Sequence, residues 1–238
     1  MYRSVPLKII ISVLFLVLVS FCSAQHVEIR QAAYSGLFFY RGNAATTTSI
    51  ILRADDLGYH NPTSYGKKSS FSYATESQAQ WVSKRRNIFG LGLGFEQLTS
   101  KTVIAEDPVL RSFGLPFQTG TVNLKSANLT VNPFAGHRFL AHNIVFDALV
   151  GVECAFNLHT NENVHVEAPL KAEYQIKKQD HPTDLRPRMQ VNALYNRVSM
   201  SVGYSIGTRN LYRSNIPGYG NKKAYSNFIR LGAAYRLK

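Results

Sequence analysis

The feature that most constrains this chain is an alternation whose second face is small and charged. In the last segment Ile229, Leu231, Ala233, Tyr235 and Leu237 alternate with Arg230, Gly232, Ala234, Arg236 and Lys238. Successive side chains of a strand point to opposite faces, so this period of two predicts a strand with one apolar and one polar wall. A soluble sandwich would alternate too, but it would turn its large apolar face inward. Here the small and charged set suits a narrow polar lumen, and the apolar set suits contact with lipid.

The same pattern recurs upstream. Val198, Met200, Val202, Tyr204 and Ile206 alternate with Ser199, Ser201, Gly203, Ser205 and Gly207. Before them Met189, Val191, Ala193 and Tyr195 alternate with Arg188, Gln190, Asn192 and Leu194. The apolar parity switches across Asn196-Arg197, which predicts a two-residue hairpin turn. Ile144, Phe146, Ala148, Val150, Val152, Cys154, Phe156 and Leu158 form another apolar face, opposite Asp147, Gly151, Glu153 and Asn157. Two carboxylates are costly in a soluble apolar core but tolerated in a hydrated lumen. Phe89, Leu91, Leu93 and Phe95 alternate with Gly90, Gly92, Gly94 and Glu96, glycines that suit the crowded inside of a small barrel. Less regular strands are expected near Ile29 to Tyr40, Ser70 to Ser83, and Asn123 to Phe139. Pro133 weakens the last, because proline cannot donate to a ladder.

These readings predict an all-β, up-and-down antiparallel transmembrane β-barrel of eight strands. Ten remain possible if Val164 to Ile176 holds a further pair. Link lengths have the matching rhythm. Short links fall at Lys84 to Asn87, Leu140 to Asn143 and Asn196-Arg197. Long polar links fall at Arg41 to Lys68, Thr102 to Thr121, His159 to Leu185 and Thr208 to Tyr225. Alternating short and long links are expected of periplasmic turns and extracellular loops.

The N-terminus fits an exported protein. Arg3 and Lys8 precede the largely apolar run Ile9 to Phe21, and Cys22-Ser23-Ala24 offers small residues at the two positions read by a signal peptidase. A signal peptide over 1–24 and a barrel domain over 25–238 are therefore expected, with Gln25 as the mature first residue. The run is too short to cross a bilayer, and Phe21 is bulky for the position before a lipidated Cys22. Nothing after Ala24 has helical membrane length, so a membrane-inserted chain must close as a barrel. Cys154 is then the one cysteine left, which excludes an intrachain disulfide.

The chain carries 27 Lys and Arg against 14 Asp and Glu. Nucleic acid is excluded as a partner by export. The polyanion at a Gram-negative surface is lipopolysaccharide phosphate, which basic side chains near headgroups attract. The loop Thr208 to Tyr225 has Arg209, Arg213, Lys222 and Lys223, no acidic residue, and interleaved Tyr212, Tyr219 and Tyr225. Cations beside aromatic rings hold phosphates and glycans well, which makes these four the candidate lipopolysaccharide contact. A merely solvated loop is the competing reading.

Three stretches carry a family likeness: Phe89-Gly90-Leu91-Gly92-Leu93-Gly94-Phe95-Glu96, then Val202 to Gly207 followed by Asn210, and the ending from Phe228 to Leu237. Together they resemble the PorT-like outer-membrane β-barrel family of Bacteroidetes-type bacteria. The resemblance implies an eight-to-ten-stranded barrel with mostly uncharacterised function. Many such barrels end in an aromatic residue read by the assembly machinery. This chain ends Leu237-Lys238, so Tyr235 is the candidate for that role.

Chemical motifs are sparse. Gly203-Tyr204-Ser205-Ile206-Gly207 fits the G-x-S-x-G pattern, but alternation runs straight through it and no helix follows, so a nucleophile elbow is not expected. A lumenal lipid-modifying hydrolase would need Ser205, His159, Asp147 and Glu153, all read as inward by parity, to converge at one rim. His137, His142 and the His165-Val166-Glu167 stretch lack metal-ligand spacing. The Gly90 to Gly94 run is no dinucleotide fingerprint. Asn128-Leu129-Thr130 lies within an expected strand, which discounts it as a glycosylation site. The expectation is a non-catalytic barrel without cofactor or metal, with a structural or adhesion-like surface role. Its expected partners are outer-membrane lipid, lipopolysaccharide, the barrel-assembly machinery and another envelope protein. The alternatives are a lipid A- or phospholipid-modifying enzyme and a component of an envelope secretion or transport assembly.

Overall fold

The computed structural model describes residues 24–49, 52–54, 58–60, 65–104, 119–168, 171–177, 182–212 and 222–237. The expected leader up to Ser23 lies outside these residues, as do Arg213 and Tyr219 of the basic loop. Among the described residues every regular element is a strand. Eight long ones form a ring: β1 (Ala24–Arg41), β2 (Lys68–Ser83), β3 (Asn87–Ile104), β4 (Thr119–Ala141), β5 (Ile144–Ala168), β6 (Asp184–Tyr195), β7 (Val198–Ile206) and β8 (Tyr225–Arg236). Each pairs antiparallel with its chain neighbours, and β8 pairs with β1 to close the circle.

The ring closes with a stagger. Following paired positions from Glu28 leads to Gln80, Gly90, Phe134, Gly151, Arg188, Ser205 and Phe228, then back to β1 at Phe38. The circuit returns ten residues from where it started, since 38 minus 28 is 10. Strand number and stagger together fix the tilt, here about 40–45° from the barrel axis. Every residue on this circuit has inward parity, so one closed line of side chains lines the interior.

The two ends differ. Lys84 to Arg86, His142-Asn143 and Asn196-Arg197 make the short connections, where Arg86, His142 and Asn196 take left-handed φ of 65°, 52° and 53°. Both described termini lie at this end, with the Leu237 amide bonded to the Ile29 carbonyl at 2.8 Å. The long connections gather at the other end. Part of the first is ordered as Thr48–Ser49, parallel to the end of β3, and as the small hairpin Leu52–Ala54 with Gly58–His60.

Two expectations need correction. The polar stretch from His159 to Leu185 is not a loop throughout: β5 runs on to Ala168 and is met by a returning arm, Ala172–Lys177. Residues 164 to 176 do hold a strand pair, but it stands above the ring and adds nothing to its circuit. β6 pairs with β5 only from Val145 to Ala155, and the arm pairs with Asn161 to Val166 higher up. Pro133 in turn sits inside β4, exposed on the outer wall, in unbroken register with Leu91 of β3.

Outside the ring, all eight strands expose large apolar side chains, with a polar break at Gln31, Ser35, Thr75 and Ser77 where β1 meets β2. Val27, Ile29 and Leu37 show this on β1, Leu91 and Leu93 on β3, Val150 and Val152 on β5, and Met200 and Val202 on β7. From Val27 to Leu37 is ten steps along β1. At a rise of about 3.3 Å and the tilt above, this gives an apolar belt about 25 Å tall. Inside, the loop end is stoppered by packed apolar side chains, among them Phe38, Tyr40, Tyr65, Leu98, Leu211 and Phe228. Phe38 and Tyr40 meet edge to face at 4.9 Å, and Tyr40 and Tyr65 at 5.0 Å.

Candidate functional site

Below this stopper the lumen is filled by two ion-pair clusters. Near the short-turn end, the buried Glu28 accepts from Arg30 at 2.6 Å, from Arg138 at 2.8 and 2.9 Å, and from Gln80 at 2.7 Å. Asp147 accepts from Arg30 at 2.9 Å and from Arg138 at 2.8 Å. Arg236 and His26, both partly exposed, reach Glu28 from the mouth at 3.2 and 2.9 Å.

The second cluster sits higher. Glu153 receives two 2.6 Å bonds from Arg230, one from Arg188 at 3.1 Å and one from Arg186 at 3.3 Å. Arg186 also bonds Glu96 and Asp184 at 2.6 Å, and Arg188 bonds Glu76 at 2.8 Å. Charges this deep hold only because each has partners with good geometry, since a lone buried ion costs several kcal/mol. Gly92 makes room for this packing: a Cβ there would stand 1.9 Å from the Glu76 carboxylate.

The four residues of the hydrolase reading do not converge. Ser205 and Glu153 share Arg230, which reaches the serine hydroxyl at 3.3 Å. Asp147 belongs to the other cluster, with Arg30 and Arg138. His159 is exposed, because a bulge opposite Ala127 and Asn128 inserts an extra residue into β5 and reverses its parity. The inward reading of His159 is thus corrected: one unpaired residue flips every side chain beyond it. Asn128 is buried and donates to Glu96 at 3.0 Å. His137 meets Asn87 at 3.0 Å and His165 meets Glu173 at 2.7 Å. Among the described residues no three His, Cys, Asp or Glu side chains group as metal ligands.

The described part of the basic loop is tied down. Arg209 donates to the Thr183 carbonyl at 3.1 Å, and the Lys223 amide donates to Asn43 at 2.6 Å. Asn210 binds the Lys222 carbonyl at 3.1 Å and accepts from the Ala224 amide at 2.9 Å. These bonds hold the two described ends of the loop together, with Leu211 and Ala224 packed in the stopper. Arg213 lies outside the described residues.

Sequence reading missed Arg30, Arg138, Arg186 and Arg188 as lumenal partners. Their signal is weak but present: Arg186 and Arg188 alternate with the exposed Leu185 and Met189, as Arg230 alternates with Ile229 and Leu231.

The sequence matches no family model, so the PorT-like resemblance has none behind it, and no curated protein sequence is similar. Among solved structures the chain is similar to Neisserial surface protein A, NspA, at 9% identity and a TM-score of 0.40, over 89% of this chain and 99% of that one. It is also similar to Ail, the attachment invasion locus protein of Yersinia pestis, solved with the heparin analogue sucrose octasulfate. That match has 11% identity, a TM-score of 0.40, and coverage of 90% and 100%. The translocator domain of the autotransporter NalP from Neisseria meningitidis follows, at 9% identity and a TM-score of 0.35, over 96% of this chain and 95% of that one. At such identities and scores the assignment rests on this chain's own pairing and burial, which define a closed antiparallel β-barrel with a charged, filled lumen and an apolar outer wall.

Proposed function

We propose that the chain is an outer-membrane β-barrel protein of the PorT-like kind, exported through a signal peptide cleaved after Ala24, with a non-catalytic surface-interaction role. The observation that carries this reading is the apolar belt, present on all eight strands, on a ring without free edges. Exposed apolar patches on soluble monomers rarely exceed a few hundred Å². A belt about 25 Å tall matches the band of outer-membrane barrels. The short turns then face the periplasm and the long connections face outward. Tyr235, exposed near the end of β8, is the candidate signal for the assembly machinery.

A surface role is favoured by what stands above the belt. β4, β5 and the arm Ala172–Lys177 continue as a sheet whose outer face is polar, with Asn123, Asn161, Asn163 and Gln175. A small apolar cluster of Ile104, Val122, Val164 and Val166 stiffens it from the inner side. A lipid-modifying role lacks its constellation, since Ser205, His159 and Asp147 are apart. A structured platform suits contact with a macromolecule, including another envelope protein.

Two measurements test this together. The protein should fractionate with outer membrane and migrate faster on a gel when unboiled. A tag placed at Lys171, between β5 and the arm, should be labelled on intact cells. Recovery as a soluble periplasmic protein would overturn the membrane reading, and a tag reached only after lysis would overturn the orientation.

A further inference from the structure

Just above the belt, three lysines share one patch of the outer wall. Lys68 of β2 lies directly opposite Lys101 of β3 in the ladder. Lys125 of β4 lies opposite Thr99, two residues from Lys101, which makes it the diagonal neighbour. Directly opposed side chains have Cβ atoms about 5 Å apart and diagonal ones about 7–8 Å, and like charges so placed repel. Parity puts Lys101 and Lys125 outside, because Leu98, Ser100, Leu124 and Ser126 around them are buried, and the bulge between Ser69 and Tyr73 turns the exposed Lys68 to the same side. Among the described residues none of the three has an ion pair or a side-chain hydrogen bond. Immediately below, Phe71, Tyr73, Leu129 and Phe156 are exposed.

We infer that Lys68, Lys101 and Lys125 form a binding ledge for the phosphates of lipopolysaccharide, with its acyl chains against Phe71, Leu129 and Phe156. The inference rests on the outer-membrane reading and adds a site distinct from Arg209, Arg213, Lys222 and Lys223. Three clustered cations with no carboxylate beside them among the described residues repel one another unless an anion sits among them. Their height, one step above the last lipid-facing residues, is where outer-leaflet phosphates lie. A soluble anion would satisfy the charges but not the apolar wall beneath, whereas a phosphorylated glycolipid satisfies both. Each lysine near an anionic membrane surface contributes roughly 1 kcal/mol, so losing all three should weaken binding about 100-fold.

The test uses the refolded barrel in detergent with lipid A as the probe. Lipid A stripped of phosphate and phosphatidylglycerol serve as comparisons. The K68Q/K101Q/K125Q variant should bind lipid A about 100-fold more weakly, and stripped lipid A should bind both proteins equally poorly. Without lipid the variant should be at least as resistant to heat as the parent, because the repulsion is gone. A merely structural role predicts the reverse. The triple Lys→Arg variant should retain binding. Undiminished binding by the triple Lys→Gln variant, or equal binding of phosphatidylglycerol by the parent, overturns the ledge. Either result leaves the outer-membrane reading standing, since that reading fails only if the protein does not insert.

Discussion

At the scale of single residues, the division between outer and inner wall is sharp enough to be measured. On β8, Leu231 is 57% exposed while Arg230 beside it is 2% exposed. Leu231→Arg puts a charge on the outer wall inside the belt and should lower refolding stability in liposomes by about 2–4 kcal/mol. Arg230→Gln should also be costly, by roughly 3–5 kcal/mol, because Arg230 is a principal partner of Glu153 and its loss leaves a buried carboxylate undercompensated. Denaturant titration of both variants in lipid checks the pair; a harmless Leu231→Arg would mean that the faces are reversed. Gly92 offers an inner-wall test. Gly92→Val should displace Glu76 from Arg188 and cost about 1–3 kcal/mol by overpacking, whereas the same change at Gly203, where the nearest atom is 3.4 Å from a built Cβ, should be milder.

At the scale of elements, the strands fall into two regimes, and this decides what could be read in the sequence. Inside the belt the outer wall is apolar and the inner wall polar, so Phe89 to Glu96, Val198 to Ile206 and Ile229 to Arg236 alternate plainly. Above the belt the sense is inverted, with a polar outer wall and the small apolar cluster of Val164 and Val166 turned inward, so Asn161 to Val166 and Ala172–Lys177 lack the outward apolar face of the barrel strands and read as loop. The bulge near His159 is silent for a related reason: its extra residue sits where the apolar pattern is already ending. Ion-pair partners were illegible because the ten-residue stagger, not sequence distance, sets which side chains share a height. Arg30 and Asp147 meet across the lumen although they are 117 positions apart in the sequence. The upper half of β5 and the arm make no contact on which the ring's closure depends. Replacing 161–177 with a short glycine-serine turn should therefore leave gel heat-modifiability intact, while abolishing whatever surface binding the platform provides. Loss of folding would show that the platform is part of the barrel's core.

At the scale of the whole molecule, the barrel is a plugged cylinder. Two ion-pair clusters and an aromatic stopper occupy the space through which a solute would pass, as expected of a barrel of this size. Planar-bilayer recordings should show no steady conductance, and a stable open channel would mean that the lumen rearranges. The outward apolar wall itself is tested most directly through Trp81, the chain's single tryptophan. It lies on β2 between Val27 and Phe89, both exposed on the same wall. In refolded protein its fluorescence should be quenched strongly by phospholipids brominated near the headgroup end of their acyl chains, and little by aqueous iodide. Strong iodide quenching with no response to brominated lipid would place this wall in water and contradict the membrane barrel.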